Sequence, residues 1–181
     1  MKHPKVLIPG CSAAAMLLRK SAAVDLRAII AIHGQREFPV ETDSVANSLV
    51  LRFDDSEAPS QTDPIHAARI RVHRREAAEF GLRLSPPTVN HARSIIDFAR
   101  WIHEIDGVLL CPCQAGVSRS SAALLLCLAT WTEPGQEPYC VRRMLSVRPC
   151  ASPHRDLVIF GDELLGRGGK LVDAVQRAER R

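Results

Sequence analysis

The part of the chain that most restricts its fold lies between Gly107 and Thr130. An unbroken apolar run, Val108-Leu109-Leu110-Cys111, is followed by the polar stretch Pro112-Cys113-Gln114-Ala115-Gly116-Val117-Ser118-Arg119-Ser120-Ser121 and then by Ala122–Leu128, which is apolar on every side. A short continuous apolar run reads as a strand covered on both faces, the kind that parallel sheets contain. A helix apolar all round must be buried on most of its surface. Strand, short loop and buried helix in succession are the unit of a parallel sheet packed between helices.

The flanking sequence repeats that alternation. Val6–Ile8 reads as a strand stopped by Pro9-Gly10, and Ser12 as the cap of a short helix over Ala13–Lys20. Leu26–Ile32 reads as a second strand ending at a Gly34 turn, and Ser48–Phe53 as a third ending in Asp54-Asp55. Residues 54–64 carry breaker chemistry throughout and predict an exposed loop. Residues 65–80, with Arg69, Arg71, Arg74 and Arg75, predict a helix with a solvated basic face. Ser85-Pro86 reads as a helix start ahead of Val89, Ala92, Ile95, Ile96, Ala99 and Ile102 at helical spacing. Ser152-Pro153 starts another helix, and a Gly166-Arg167-Gly168-Gly169 turn separates it from a polar C-terminal helix. No repeat or change of composition divides the chain. Its 181 residues therefore predict one α/β domain, residues 1–181, with a central, mainly parallel sheet flanked by helices on both faces.

Composition narrows the function. A net charge of +4 suits an anionic ligand but is too small a bias to argue for nucleic acid. Six cysteines without framework spacing point to a reducing compartment, hence the cytoplasm. No apolar stretch is long enough to span a bilayer, so no membrane partner is expected. Metal-ligand spacings, a P-loop lysine motif and a dinucleotide fingerprint are all missing, so neither metal nor cofactor is expected. His33, His73 and His103 read as residues without chemistry, and Cys111 as a buried strand residue, with Cys150 or Cys127 placed behind the loop.

The chemistry concentrates at Cys113. A short loop opening a helix aims several backbone N–H groups into one concavity, where the helix dipole adds positive potential. A cysteine at the front of such a loop is favoured as thiolate. Arg119, six residues later, can reach across and clamp two oxygens of a tetrahedral oxyanion. Gly116 lets the backbone approach the anion. Ser120 is placed to hydrogen-bond the thiolate.

Cys-Gln-Ala-Gly-Val-Ser-Arg-Ser-Ser, residues 113–121, resembles the signature loop of the protein-tyrosine-phosphatase superfamily, in particular its dual-specificity branch and small bacterial relatives. Val147–His154 is similar to the arginine-proline segment that follows the signature helix in that branch, and Leu49–Ser56 to the strand and acid-bearing loop that precede it. The similarity covers roughly residues 48–166. It implies the fold of that family and a phosphomonoesterase working through a phosphocysteine, on a phosphorylated protein or a small phosphomonoester. It assigns Cys113 as nucleophile and Arg119 as phosphate clamp. Ser120 would stabilise the leaving thiolate, and the loop Gln114, Ala115, Gly116, Val117, Ser118 would bind phosphate. Asp55 is implied as the proton donor, with Asp54 as the alternative, and residues 57–85 as an insertion forming a flap over the site. One departure stands out: Pro112 occupies the position where the family has histidine. A non-catalytic phosphate-binding relative is therefore an alternative reading. Rhodanese-like sulfur transfer or arsenate reduction is a further one, less compatible with an acid upstream.

Overall fold

The computed structural model describes residues 4–19, 25–59 and 63–180; Lys20 of the expected first helix and residues 60–62 of the expected loop lie outside the described residues. Among the described residues, β1 (Lys5–Leu7), β2 (Leu26–His33), β3 (Asn47–Arg52) and β4 (Val108–Leu110) form one parallel sheet in the order β1-β4-β2-β3. β4 is internal and all three of its residues are buried, which is why it carries no polar side chain. The helices are α1 (Cys11–Leu18), α2 (Pro64–Glu79), α3 (Val89–Trp101), α4 (Arg119–Trp131), α5 (Glu137–Val147), α6 (Arg155–Leu164) and α7 (Lys170–Glu179).

Period-two alternation along β2 divides the core. Ile29 and Ala31 join Ala14 of α1, Val40, Val45 and Leu110 on one face. Ala28, Ile30 and Ile32 face a larger cluster built from α3, α4, α5, α6 and α7 on the other. The sheet with helices on both faces is thus the expected one. α4 is buried at every residue from Arg119 to Ala129, as its apolar run Ala122–Leu128 requires, and the polar Arg119, Ser120 and Ser121 are buried with it.

Several element starts differ from expectation. α1 begins at Cys11 with Gly10, not Ser12, at its N-cap. α3 begins at Val89 behind Thr88, whose N–H donates to His91 Nδ1 at 3.0 Å. Burial pushes the His91 ring down from its ordinary value, which keeps that nitrogen free to accept. Ser85 is not the cap, because the helix starts four residues later at Val89; its N–H donates to Asp54 Oδ2 at 2.7 Å. Ser152-Pro153 precedes α6, whose N-cap is His154. The 54–64 stretch is not simply exposed: Ser56 is buried, and Asp63 caps α2 through the Ile65 and His66 N–H groups.

The far end of α4 is closed by a buried arginine. Arg167 donates to the Ala129 and Thr132 carbonyls and pairs with Glu137 Oε1 at 3.1 Å, the two side chains being 5 % and 3 % exposed. Those carbonyls belong to the last turn of α4, where intrahelical donors run out. Arg167→Met leaves Glu137 as an uncompensated buried charge and is expected to cost about 3–5 kcal/mol in urea unfolding; a loss below about 1 kcal/mol would show that the pair behaves as a surface one.

Candidate active site

The loop from Cys113 to Ser118 follows β4 and opens α4. Its carbonyls are bound from outside. Gln114 O accepts from Cys11 N–H at 3.3 Å and Ala115 O from Arg148 Nη2 at 3.2 Å. Val117 O accepts from Ser152 N–H at 3.1 Å and from the Ser121 hydroxyl, and Ser118 O from His154 N–H at 3.3 Å. With the carbonyls turned outward, the N–H groups of residues 114–119 are left without an acceptor among the described residues. A run of such donors at a helix N-terminus is an anion cradle. Gly116 has φ +68°, and a Cβ there would stand 2.7 Å from the Pro9 carbonyl carbon. The loop therefore needs glycine both for its conformation and for its contact with the turn after β1.

Cys113 is buried at the base of this loop, with Sγ 3.1 Å from Ser120 Oγ. Arg119 is buried too, and the destinations of its N–H groups decide what it can bind. Nη1 donates to Glu37 Oε2 at 3.1 Å and to the Phe53 carbonyl at 3.2 Å, and Nη2 donates to Glu37 Oε1 at 2.7 Å. Nε is buried with no hydrogen-bond partner; Asp55 Oδ2, the nearby carboxylate oxygen, is 3.9 Å away. Glu37 thus takes the end of the guanidinium. The Nε–Nη2 edge stays open as a two-donor fork matched to a tetrahedral oxyanion. Burial alone would push the Glu37 carboxyl up, but hydrogen bonds from Arg119 and from Gly34 N–H, with the arginine's charge, bring it below the ordinary carboxylate range. Burial opposes the charged form of Arg119, and Glu37 more than reverses it.

The two aspartates after β3 separate cleanly. Asp54 spends both oxygens on backbone, accepting from Gln35 N–H at 2.9 Å and Ser85 N–H at 2.7 Å. Asp55 is half-exposed beside the loop: Oδ1 accepts from Ser118 Oγ at 2.6 Å and lies 3.9 Å from His154 Nε2. Within residues 57–85, the described residues include α2 and are held at both ends. Glu57 pairs with His66 of α2, Asp54 holds Ser85, and Arg36 donates to the Gly81 carbonyl at 2.6 Å.

The remaining cysteines are thiols with other surroundings. Cys111 and Cys127 are fully buried, and burial pushes Cys127 up to about 12 and Cys111 well above its usual value. Cys150 is exposed. Both Cys11 and Cys111 interact electrostatically with Cys113, and Cys11 is raised by burial first and then by Glu37 and Cys113. Pro112 is accommodated by the sheet. Its carbonyl accepts from Ile32 N–H at 3.0 Å, Cys111 N–H donates to Leu7 O at 2.9 Å, and Gly10 bridges Cys113, so the proline forfeits only its own donor.

All four parts of the site follow the carboxyl ends of parallel strands: Pro9-Gly10 after β1, Glu37 after β2, Asp55 after β3 and the Cys113 loop after β4. Ligands of open α/β sheets bind at that edge. Glu37, the Pro9-Gly10 backstop and the Arg148 and His154 contacts escaped the sequence reading. Only their position after a strand could have flagged Glu37 and Pro9-Gly10.

This is the protein-tyrosine-phosphatase fold. The structure is similar to that of human DUSP28 (TM-score 0.58, 12 % identity, covering 92 % of this chain and 95 % of that one). It is similar to Tk-PTP in its active form (0.55, 15 %, 90 % and 92 %) and to a human tyrosine phosphatase-like serine/threonine/tyrosine-interacting protein (0.57, 17 %, 89 % and 91 %). No family model and no curated protein sequence matches the chain.

Because the folded-state value of Glu37 is depressed, its contribution to stability is complete above the ordinary glutamate value of about 4.3 and is lost as the pH falls through the lower folded value. Glu37→Gln is expected to lose about 1.5–3 kcal/mol at neutral pH, the range for hydrogen bonds to charged groups. Its unfolding free energy should converge on wild type as the pH drops below about 4.3. A difference independent of pH would show that the carboxylate charge does not hold Arg119.

Proposed function

We propose that the protein is a cysteine-dependent phosphomonoesterase of the tyrosine or dual-specificity kind, working through a phosphocysteine on phosphorylated proteins or small phosphomonoesters. The observation that supports this reading is the Nε edge of Arg119, six positions after Cys113, left without an acceptor while Glu37 takes the other end of the guanidinium. The amides of 114–118 and the Arg119 fork would hold the three non-bridging oxygens, which is positioning and electrostatics rather than covalent work. The Cys113 thiolate attacks phosphorus, and the S–P bond forms as the P–O bond to the leaving group breaks. The electron pair passes to the leaving oxygen, which takes a proton from Asp55. Ser118 donates to Asp55 Oδ1, which favours Oδ2 as the oxygen that carries that proton. In the second step Asp55 accepts a proton from water as the water attacks phosphorus, and the pair returns to sulfur with Ser120 donating to the thiolate.

The interior of the loop holds no lysine or arginine besides Arg119, which disfavours a polyphosphorylated ring as substrate. No described helix is long and apolar enough to cross a membrane. The six free cysteines support a cytoplasmic setting.

Pro112 favours a second reading, phosphate binding with little turnover, and one protein of similar fold is itself described as phosphatase-like. The two readings part on simple kinetics. Wild type is expected to hydrolyse aryl phosphates, Cys113→Ser to lose turnover while still binding vanadate, and Arg119→Ala to lose both. Asp55→Asn is expected to cost roughly 10²–10⁴ in turnover, less for acidic leaving groups, and Asp54→Asn far less. Vanadate binding without turnover in wild type would establish the binding-only reading, and near-normal turnover in Cys113→Ser would exclude the phosphocysteine.

A further inference from the structure

A cavity of about 500 Å³ opens from the Asp55 side of the loop. Its inner wall is Val117 and Ser118, and its floor is Val158 of α6 with Val172 and Val175 of α7. Its rim carries Glu57 and Glu179 against Arg155, and Glu57 is fixed there by His66. If Asp55 protonates the leaving oxygen, the rest of the leaving group starts beside Asp55, which with Val117 and Ser118 also lines this cavity. The volume is that of a small-ligand site, larger than one side chain needs. The valine floor favours an apolar group over a solvated one. The carboxylates of Glu57 and Glu179 outnumber the one cation, Arg155, which repels anionic neighbours and attracts a basic one.

We infer that this cavity, between the acid loop and α7, is a subsite for the residues flanking a phosphorylated residue, selecting an apolar side chain accompanied by a basic one. The inference rests on the phosphatase reading for the direction of the leaving group, and a polyanionic headgroup or nucleic acid is the chemistry it excludes.

The test uses Cys113→Ser protein and two phosphotyrosyl peptides, one with Leu and Arg on both sides of the phosphotyrosine and one with Gly and Glu. Hydrolysis of p-nitrophenyl phosphate by wild type is measured in parallel. Titration calorimetry is expected to give the Leu/Arg peptide a Kd on the order of tenfold lower, the scale of discrimination a small apolar pocket provides. The ratio of the two Kd values should fall toward one when Glu179→Arg, on the exposed end of α7, is added, and independently when Val172→Asp is added. Equal Kd values for the two peptides, failure to bind either, or a ratio that both variants leave unchanged would overturn the subsite. A clear ratio in Cys113→Ser with no hydrolysis by wild type supports the subsite and contradicts the hydrolase, whereas hydrolysis without a ratio overturns the subsite alone.

Discussion

A guanidinium buried behind the Cys113–Ser118 loop must be neutralised, and how that is done decides which of its N–H groups stay available. Arg119 is buried to 3 % side-chain exposure, and leaving such a charge unpaired would cost several kcal/mol. Glu37 pairs with its two terminal nitrogens and the Phe53 carbonyl takes a further N–H. Had the carboxylate met the Nε side instead, the fork would be spent. Glu37 depends in turn on the loop after β2, which is braced by Gly34 N–H on its carboxylate and by His33, whose Nε2 accepts from Val40 N–H. Burial, then the charge of Arg52, pushes the His33 ring down and keeps that acceptor available. A core histidine thus reaches the anion site through one loop and one carboxylate.

The loop itself is shaped by the same accounting of backbone groups. A peptide unit cannot point its carbonyl and its N–H to the same side, so the donors that capture the outward carbonyls of residues 114, 115, 117 and 118 also turn the amides inward. Those donors come from α1, from the segment after α5 and from the residues that open α6. They converge because every element involved meets the sheet at the carboxyl ends of its strands.

What was legible in advance was what is local. Cys113, Arg119 and Ser120 lie within eight positions on one loop and helix, so their neighbourhood can be read from spacing, while the roles proposed for them also need the resemblance. Resemblance pointed to Asp55 over Asp54, and the geometry separates them because Asp54 is consumed by two backbone amides. Glu37 was invisible because its partner is 82 positions away, and nothing in a surface-type glutamate after a turn announces a buried arginine. The start of α3 was misjudged because Ser85 and Thr88 carry the same capping chemistry, and the reciprocal partner at the third helical position, His91, belongs to Thr88. The anchors of α2, Glu57 to His66 and Arg36 to Gly81, could not be read in advance because they join segments that composition describes only as polar.

The central claim is covalent, so the direct measurement is covalent too. Wild-type protein would be mixed with an aryl phosphate labelled at phosphorus and quenched in acid within one turnover, and the peptides separated for label. The account predicts a phosphoryl group on the peptide bearing Cys113, absent from Cys113→Ser and accumulating when Asp55→Asn slows the attack of water. Turnover with no label on that peptide, or label on another residue, would contradict it.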